Sequence, residues 1–193
     1  MVMEGTALYR VAGVSAWVAV VAFIVSGITI GLFFGGFGQF WGPINDIATS
    51  ITMFALILPL LAVDRMAGEQ AMPWLRVVTV AAIAGALLIA TGLILLVVGV
   101  IDLQTSFVTF GIGVVPVLVW MGALIVLALP MDVLPPIVGW TAALTLGLIG
   151  VAVATSLVTT GPLLWVAGFV VAAGFVLCWS SLAMSLLRSA SAG

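Results

Sequence analysis

Histidine and lysine are absent from this 193-residue sequence, cysteine and tyrosine occur once each, and four arginines and six carboxylates make up all of its side-chain charge. Each absence removes a class of chemistry. Without histidine there is no imidazole base, no His-ligated zinc or haem, and no Ser-His-Asp arrangement. Cys178 alone can neither close an intrachain disulfide nor build a thiolate cluster. No basic patch exists to neutralise nucleic acid phosphates or hold anionic headgroups strongly, so nucleic acid is set aside as a partner. The glycine-rich stretch at 35–42 has no G-x-G-x-x-G spacing and follows no strand, so no nucleotide or other cofactor is expected. Asp46 and Asp102 fall near the edges of apolar runs, not opposite each other inside them, which argues against an intramembrane aspartyl protease. The expectation is a protein without enzymatic activity.

What is there is apolar. Hydrophobic residues make up 65% of the chain and charged residues 5%, against roughly 25% charged in a soluble domain, and the mean hydropathy is +1.51. Six runs, at 11–34, 44–63, 77–101, 107–131, 137–158 and 163–187, each reach the roughly 20 residues that a helix needs to cross a bilayer. They are continuous, not alternating with period two, which selects helices over a barrel. The run after Arg10 is too long for a cleaved signal and reads as a retained span. The fold expected is all-α: one polytopic transmembrane domain of six helices over 1–193, in contact with lipid.

Threading follows from the arginines. Arg10 precedes the first run, Arg65 and Arg76 lie between the second and third, and Arg188 follows the sixth. Six crossings put all four on one side, whereas an odd number would send Arg188 to the other. The positive-inside rule makes that side cytoplasmic, so both termini are expected inside a cell membrane and the loops at 35–43, 102–106 and 159–162 outside.

The stretch GGFGQFWGPINDIATS (35–50) gathers aromatics, glycines and polar residues between two apolar runs. Helical spacing from Pro43 puts Asp46, Thr49 and Ser50 on one face, with Asn45 and Thr52 beside it. Two readings follow: an outer polar pocket formed by Asn45, Asp46, Thr49 and Ser50, or Asp46 capping the second helix with the hydroxyls turned to neighbouring helices. Other hydroxyls (Ser26, Thr29, Thr52, Thr91, Thr145, Thr155, Ser156, Ser180, Ser181) can bond back to their own helix carbonyls and need line nothing. Trp41, Trp74, Trp140 and Trp165 fit an interfacial belt, while Trp17, Trp120 and Trp179 lie deeper and each needs a partner for its indole N–H.

Gly27, Gly31 and Gly35 form a small-residue stripe suited to close helix packing. Gly85, Gly92 and Gly99 repeat every seven residues, and Gly139, Ala143 and Gly147 every four. Such stripes serve packing within the bundle, self-association, or contact with a membrane-protein partner. ILPLLAVD in the second run and ALPMD in the fourth hint at repeated helix hairpins.

The segments YRVAG, FWGPIND, the Leu-Pro at 58–59 and the later P-x-x-V-G-W pattern resemble uncharacterised six-span bacterial membrane proteins grouped as domains of unknown function. The resemblance implies a multi-pass helical protein and transfers no site residue. Two functions are therefore expected: a non-catalytic subunit or assembly factor of a membrane complex, or a channel or transporter for a small solute or cation entered near Asp46.

Overall fold

The computed structural model describes residues 2–68, 73–158 and 162–191, without the side chains of 2–4, 158 and 162–165. Six helices account for nearly all of them: α1 (Val2–Phe34), α2 (Trp41–Ala67), α3 (Pro73–Val97), α4 (Leu103–Ala128), α5 (Pro136–Val158) and α6 (Pro162–Ser191). No strand occurs among the described residues. All six contain a stretch long and apolar enough to cross a membrane, and the chain is a multi-pass membrane helix bundle.

Local chemistry sets where the helices stop. At the end of α1, Gly36 takes φ +81°, the Gly36 N–H bonds to the Phe33 carbonyl and the Phe37 N–H to that of Leu32. This is the Schellman pattern, in which a glycine in the left-handed region satisfies the last carbonyls. The same pattern ends α3, with Gly99 at φ +74° and the Val100 N–H bonded to the Leu95 carbonyl at 2.8 Å. The third helix therefore ends at Val97 although the apolar run continues to Ile101. Asp102 then caps α4, its carboxylate accepting the Thr105 N–H at 2.7 Å, and moves that helix start four residues ahead of the apolar run. Pro59 lies inside α2, whereas Pro130 lies beyond the last residue of α4. The two Leu-Pro segments are therefore not equivalent, and the repeat hinted at by sequence is absent at this point.

The helices form a closed ring in chain order. Each packs on its successor, α6 returns to α1, and α2 also reaches across to α6. Paired residues run in opposite directions at every seam. On α1 and α2, Ser15 Oγ donates to the Ala55 carbonyl at 2.7 Å and Ser26 meets Asn45. On α5 and α6, Thr141 and Ser181 hydroxyls lie 2.9 Å apart, while Gly174 faces Thr145. The antiparallel order places Arg10, Arg65, Arg76 and Arg188 at one end of the ring and the turns at 35–40 and 98–102 at the other.

Small residues close the α3–α4 seam. A Cβ on Gly85 would collide with the Gly113 carbonyl oxygen, and one on Gly113 would lie 2.6 Å from that of Gly85. One helical step further, Gly92 admits the Thr109 hydroxyl. The stripe on α1 behaves differently. Among the described residues nothing lies within 4 Å of a Cβ built on Gly27 or Gly31, and Gly35 lies beyond the helix, against the Phe37 ring. Gly27, Gly31 and Gly35 are thus not the contact between α1 and another helix of this chain. That contact is made lower down, by Gly13 against Leu187 and by Phe23 against Phe175 at 5.4 Å. Gly99 leaves the Gly85/Gly92 series because it caps the helix. Of the α5 series, Gly139 packs on Ala128 and Leu129, while Gly147 faces open space.

Packing is unequal along the ring axis. Leu60, Val63, Leu124, Leu127, Leu134, Leu182 and Leu186, all in the arginine half, are excluded from solvent-sized probes to within 1%. On α5, by contrast, no described side chain from Leu146 onward is buried. Trp120 is fully buried at the boundary between the halves, its indole N–H donating to Thr79 Oγ1 at 3.2 Å and its ring stacked on Trp179 at 5.9 Å. Trp41 and Trp74 sit half-buried at helix starts and Trp140 is exposed at a third, as a belt requires; the Trp165 side chain lies outside the described residues. Trp17 faces outward from α1, toward lipid.

The two glycine settings make opposite predictions. Gly85→Ala should lower bundle stability by about 1–2 kcal/mol, because overpacking costs about 1–3 kcal/mol and improved helix propensity returns up to about 1. Gly27→Ala gains propensity without a clash and should be neutral or slightly stabilising. Reversible unfolding in mixed micelles measures both, and equal effects at the two sites would contradict the packing described here.

Candidate functional site: an axial cavity

The ring is hollow in its arginine-free half. A cavity of about 510 Å³ opens near the 35–40 turn and is bordered by α1, α2, α3 and α4. Its polar lining is Asn45, Asp46, Thr49 and Ser106, and four phenylalanines (Phe33, Phe34, Phe107 and Phe110) supply most of the remaining wall, with leucines from α3 and α4. Thr49 and Phe110 also line a second cavity of about 370 Å³, which continues along the axis. All six helices contribute to this inner chamber, through Phe23, Thr52, Ile89, Val114, Ile149 and Phe175 among others, and Trp179 forms its floor. Below Trp179 come Trp120 and the closed leucine layers. The pair of cavities is therefore closed toward the arginine end.

The local fold explains which polar residues reach this space. Helix α2 starts at Trp41, with Pro43 in its first turn where a missing N–H costs nothing. Asp46 consequently lies in the second turn, and no acidic residue sits in the first. The capping role considered for Asp46 is not what the structure shows; among the described helices it is Asp102 that caps. Asn45, Asp46 and Thr49 turn to the cavity. Ser50 does not: it is buried against α3, its hydroxyl within bonding distance of the Asp46 carbonyl (2.8 Å) and the Ala90 carbonyl (3.2 Å). The four residues singled out by helical spacing thus divide into three that line the cavity and one that ties α2 to α3.

Ser26 completes the polar group from α1. Its hydroxyl donates to Asn45 Oδ1 at 2.7 Å and lies 2.8 Å from Thr49 Oγ1. Thr49 Oγ1 also reaches the Asn45 carbonyl at 2.9 Å, and Asn45 Nδ2 donates to Asp46 Oδ1 at 3.2 Å. Three contacts among these hydroxyls and carbonyl oxygens draw on only two hydroxyl hydrogens, so one contact is always short of a hydrogen. The cluster is rich in acceptors and poor in donors. Sequence reasoning placed Ser26 among hydroxyls that bond back to their own helix, and most of that set does so: Thr29, Thr52, Thr145, Thr155, Ser156 and Ser181 each have an acceptor three or four residues earlier. Spacing within one helix carries no information on Ser26, whose partners belong to the next.

A shallower space of about 250 Å³ lies between α1 and α6, bordered by Phe23, Ser26, Gly27, Gly31, Gly168 and Phe169. Here the two helices separate above the Phe23–Phe175 contact. The unfilled glycines of α1 face this cleft, which accounts for the open space at Gly27 and Gly31.

Asp102 controls the start of the helix that carries Ser106, Phe107 and Phe110. The backbone N–H of Thr105 holds its carboxyl below the usual value of 3.8. A carboxylate whose folded-state value is depressed stabilises the fold at any pH above its unfolded value and loses that contribution as pH falls through the lower folded value. The stability difference between wild type and Asp102→Asn should therefore be constant near neutrality and change only below about pH 4, as followed by thermal unfolding against pH; a difference that varies near pH 7 would refute the assignment.

No family model, curated protein or solved structure matches the chain.

Proposed function

We propose that this membrane protein binds a small apolar or amphiphilic molecule in its axial cavity and acts on it by binding alone, as a carrier or sensor without a catalytic step. The observation that carries this reading is the pair of adjoining cavities, the outer bordered by α1 to α4 and the inner by all six helices down to Trp179. Its combined space suits a drug-sized molecule, since ligand pockets occupy roughly 300–1,000 Å³ and are mostly apolar with a few placed polar groups. Packed leucines beneath the floor favour binding from one end over open conduction through the ring. Of the two functions expected from sequence, the geometry favours the solute-binding one, restricted to a site closed toward the arginine end. With the arginine end cytoplasmic by the positive-inside rule, the mouth faces outside the cell membrane and both termini face inside.

A second reading has its own support. The cleft between α1 and α6, with Gly27 and Gly31 unfilled, offers a small-residue face of the kind that membrane helices use for close association. On this reading the chain is a non-catalytic subunit or assembly factor. Native mass spectrometry after gentle extraction should then recover a partner chain, and Gly27→Leu should release it; recovery of the chain without another polypeptide counts against this reading.

The binding reading is tested by filling the chamber. Val114 lines it, and Val114→Trp should weaken saturable binding of the neutral probe N-phenyl-1-naphthylamine at least tenfold, read as energy transfer from tryptophan above the micelle background. A membrane-impermeant maleimide on intact cells should label Gln39→Cys at the mouth and not Ser189→Cys at the other end. Unchanged probe binding in Val114→Trp would remove the cavity reading, and the reverse labelling pattern would invert the orientation.

A further inference from the structure

The cavity holds a chemical bias that goes beyond its size. Asp46 brings a carboxylate to a wall whose other polar groups, Asn45, Thr49 and Ser106, are uncharged, and its hydrogen-bond partner is the Asn45 amide at 3.2 Å. No arginine stands near it, because all four lie at the opposite end of the ring, where Arg76 faces Asp64 at 3.9 Å. The neighbouring Ser26, Asn45 and Thr49 group is uncharged and supplies no counter-charge. Phe33, Phe34, Phe107 and Phe110 line the same space, and the faces of aromatic rings carry partial negative charge that attracts cations, most strongly where water is excluded.

We propose that the occupant of this cavity is a lipophilic organic cation. Its charged centre lies beside Asp46 among the four phenylalanine rings, and its apolar body extends past Thr49 and Phe110 into the chamber above Trp179. This rests on the cavity-binding reading and deepens it by naming the ligand class. The physical reason for a cation is selectivity over lipid. An apolar tail gains nothing from leaving one hydrocarbon environment for another, so the shape of the chamber alone discriminates weakly against the surrounding acyl chains. A carboxylate in a low-dielectric site, by contrast, favours a cation over a neutral or anionic molecule of the same shape, because its attraction is weakly screened there. A hard, small metal ion is disfavoured, since it would keep few oxygen ligands against so many rings, and no group of three acidic or thiol ligands exists among the described residues.

Tetraphenylphosphonium and tetraphenylborate provide the test, being alike in size and opposite in charge. Equilibrium binding of each is measured on the full-length chain in an uncharged detergent. Wild type should bind tetraphenylphosphonium saturably at one site and tetraphenylborate at least tenfold more weakly. Asp46→Asn should weaken the cation at least tenfold, while Asp46→Glu should stay within about threefold of wild type because it keeps the charge. The wild-type comparison of the two ions stands even where a variant fails to fold. Equal binding of both ions, or cation binding unchanged in a folded Asp46→Asn, overturns the proposal. If Val114→Trp then still removes both, the cavity remains a binding site without charge preference and only the ligand class falls. Absence of saturable cation binding to wild type also overturns it, and the neutral probe decides the cavity reading separately.

Discussion

A membrane leaves a chain no choice about its backbone. Every N–H and C=O in the hydrocarbon region must find its partner within the protein, and in an α-helix it does so within a few residues. That constraint produces the six helices and their terminal devices, the Schellman glycines at Gly36 and Gly99 and the Asp102 cap. It also removes the force that organises a soluble protein. Lipid tails are as apolar as a leucine core, so burial of apolar area does not by itself draw these helices together. What remains is fit: glycine against glycine at Gly85 and Gly113, hydroxyl to carbonyl from Ser15 and Ser50, indole to hydroxyl from Trp120.

This division explains what could be read in the sequence. The number and order of the helices are legible because they depend on run length and turn residues, which are local. Their ends are less so. Residues 98–101 are apolar enough to extend the third helix, and only the glycine at 99 reports that the chain turns there. The fourth helix carries a visible signal, an aspartate three residues before a threonine N–H, that hydropathy alone overlooks. Lateral packing was legible only in part: Gly85, Gly92 and Gly139 do lie in helix contacts, but spacing does not name their partners. The regular Gly27/Gly31/Gly35 spacing points to a helix contact, yet the unfilled space lies there, while the closest backbone approach joins Gly85 to a glycine on α4 that no stripe includes. Spacing says that a surface is smooth; it does not say what lies against it.

The cavity residues show the same limit from the other side. Asn45, Asp46 and Thr49 share a helical face and can be grouped from the sequence, but the helix start at Trp41 decides that they line a space and do not cap a helix. Ser26 and the phenylalanines of α1 and α4 join them only because the ring closes in chain order. A cavity assembled from four helices is a property of the ring, and one helix carries a fraction of it.

The unequal filling of the two halves has a thermodynamic consequence. Voids forfeit the dispersion contacts that their lining atoms would otherwise make, so the arginine half has more packing cohesion than the other half. A molecule that binds only the folded bundle adds stability by mass action, about 2.7 kcal/mol when present at a hundred times its dissociation constant. Linkage of this kind would concentrate in the hollow half, where α5 from Leu146 onward has no buried described side chain. On the proposed binding, the persistence of that half becomes a function of ligand concentration, and the lifetime of the protein in its membrane is coupled to the supply of that ligand.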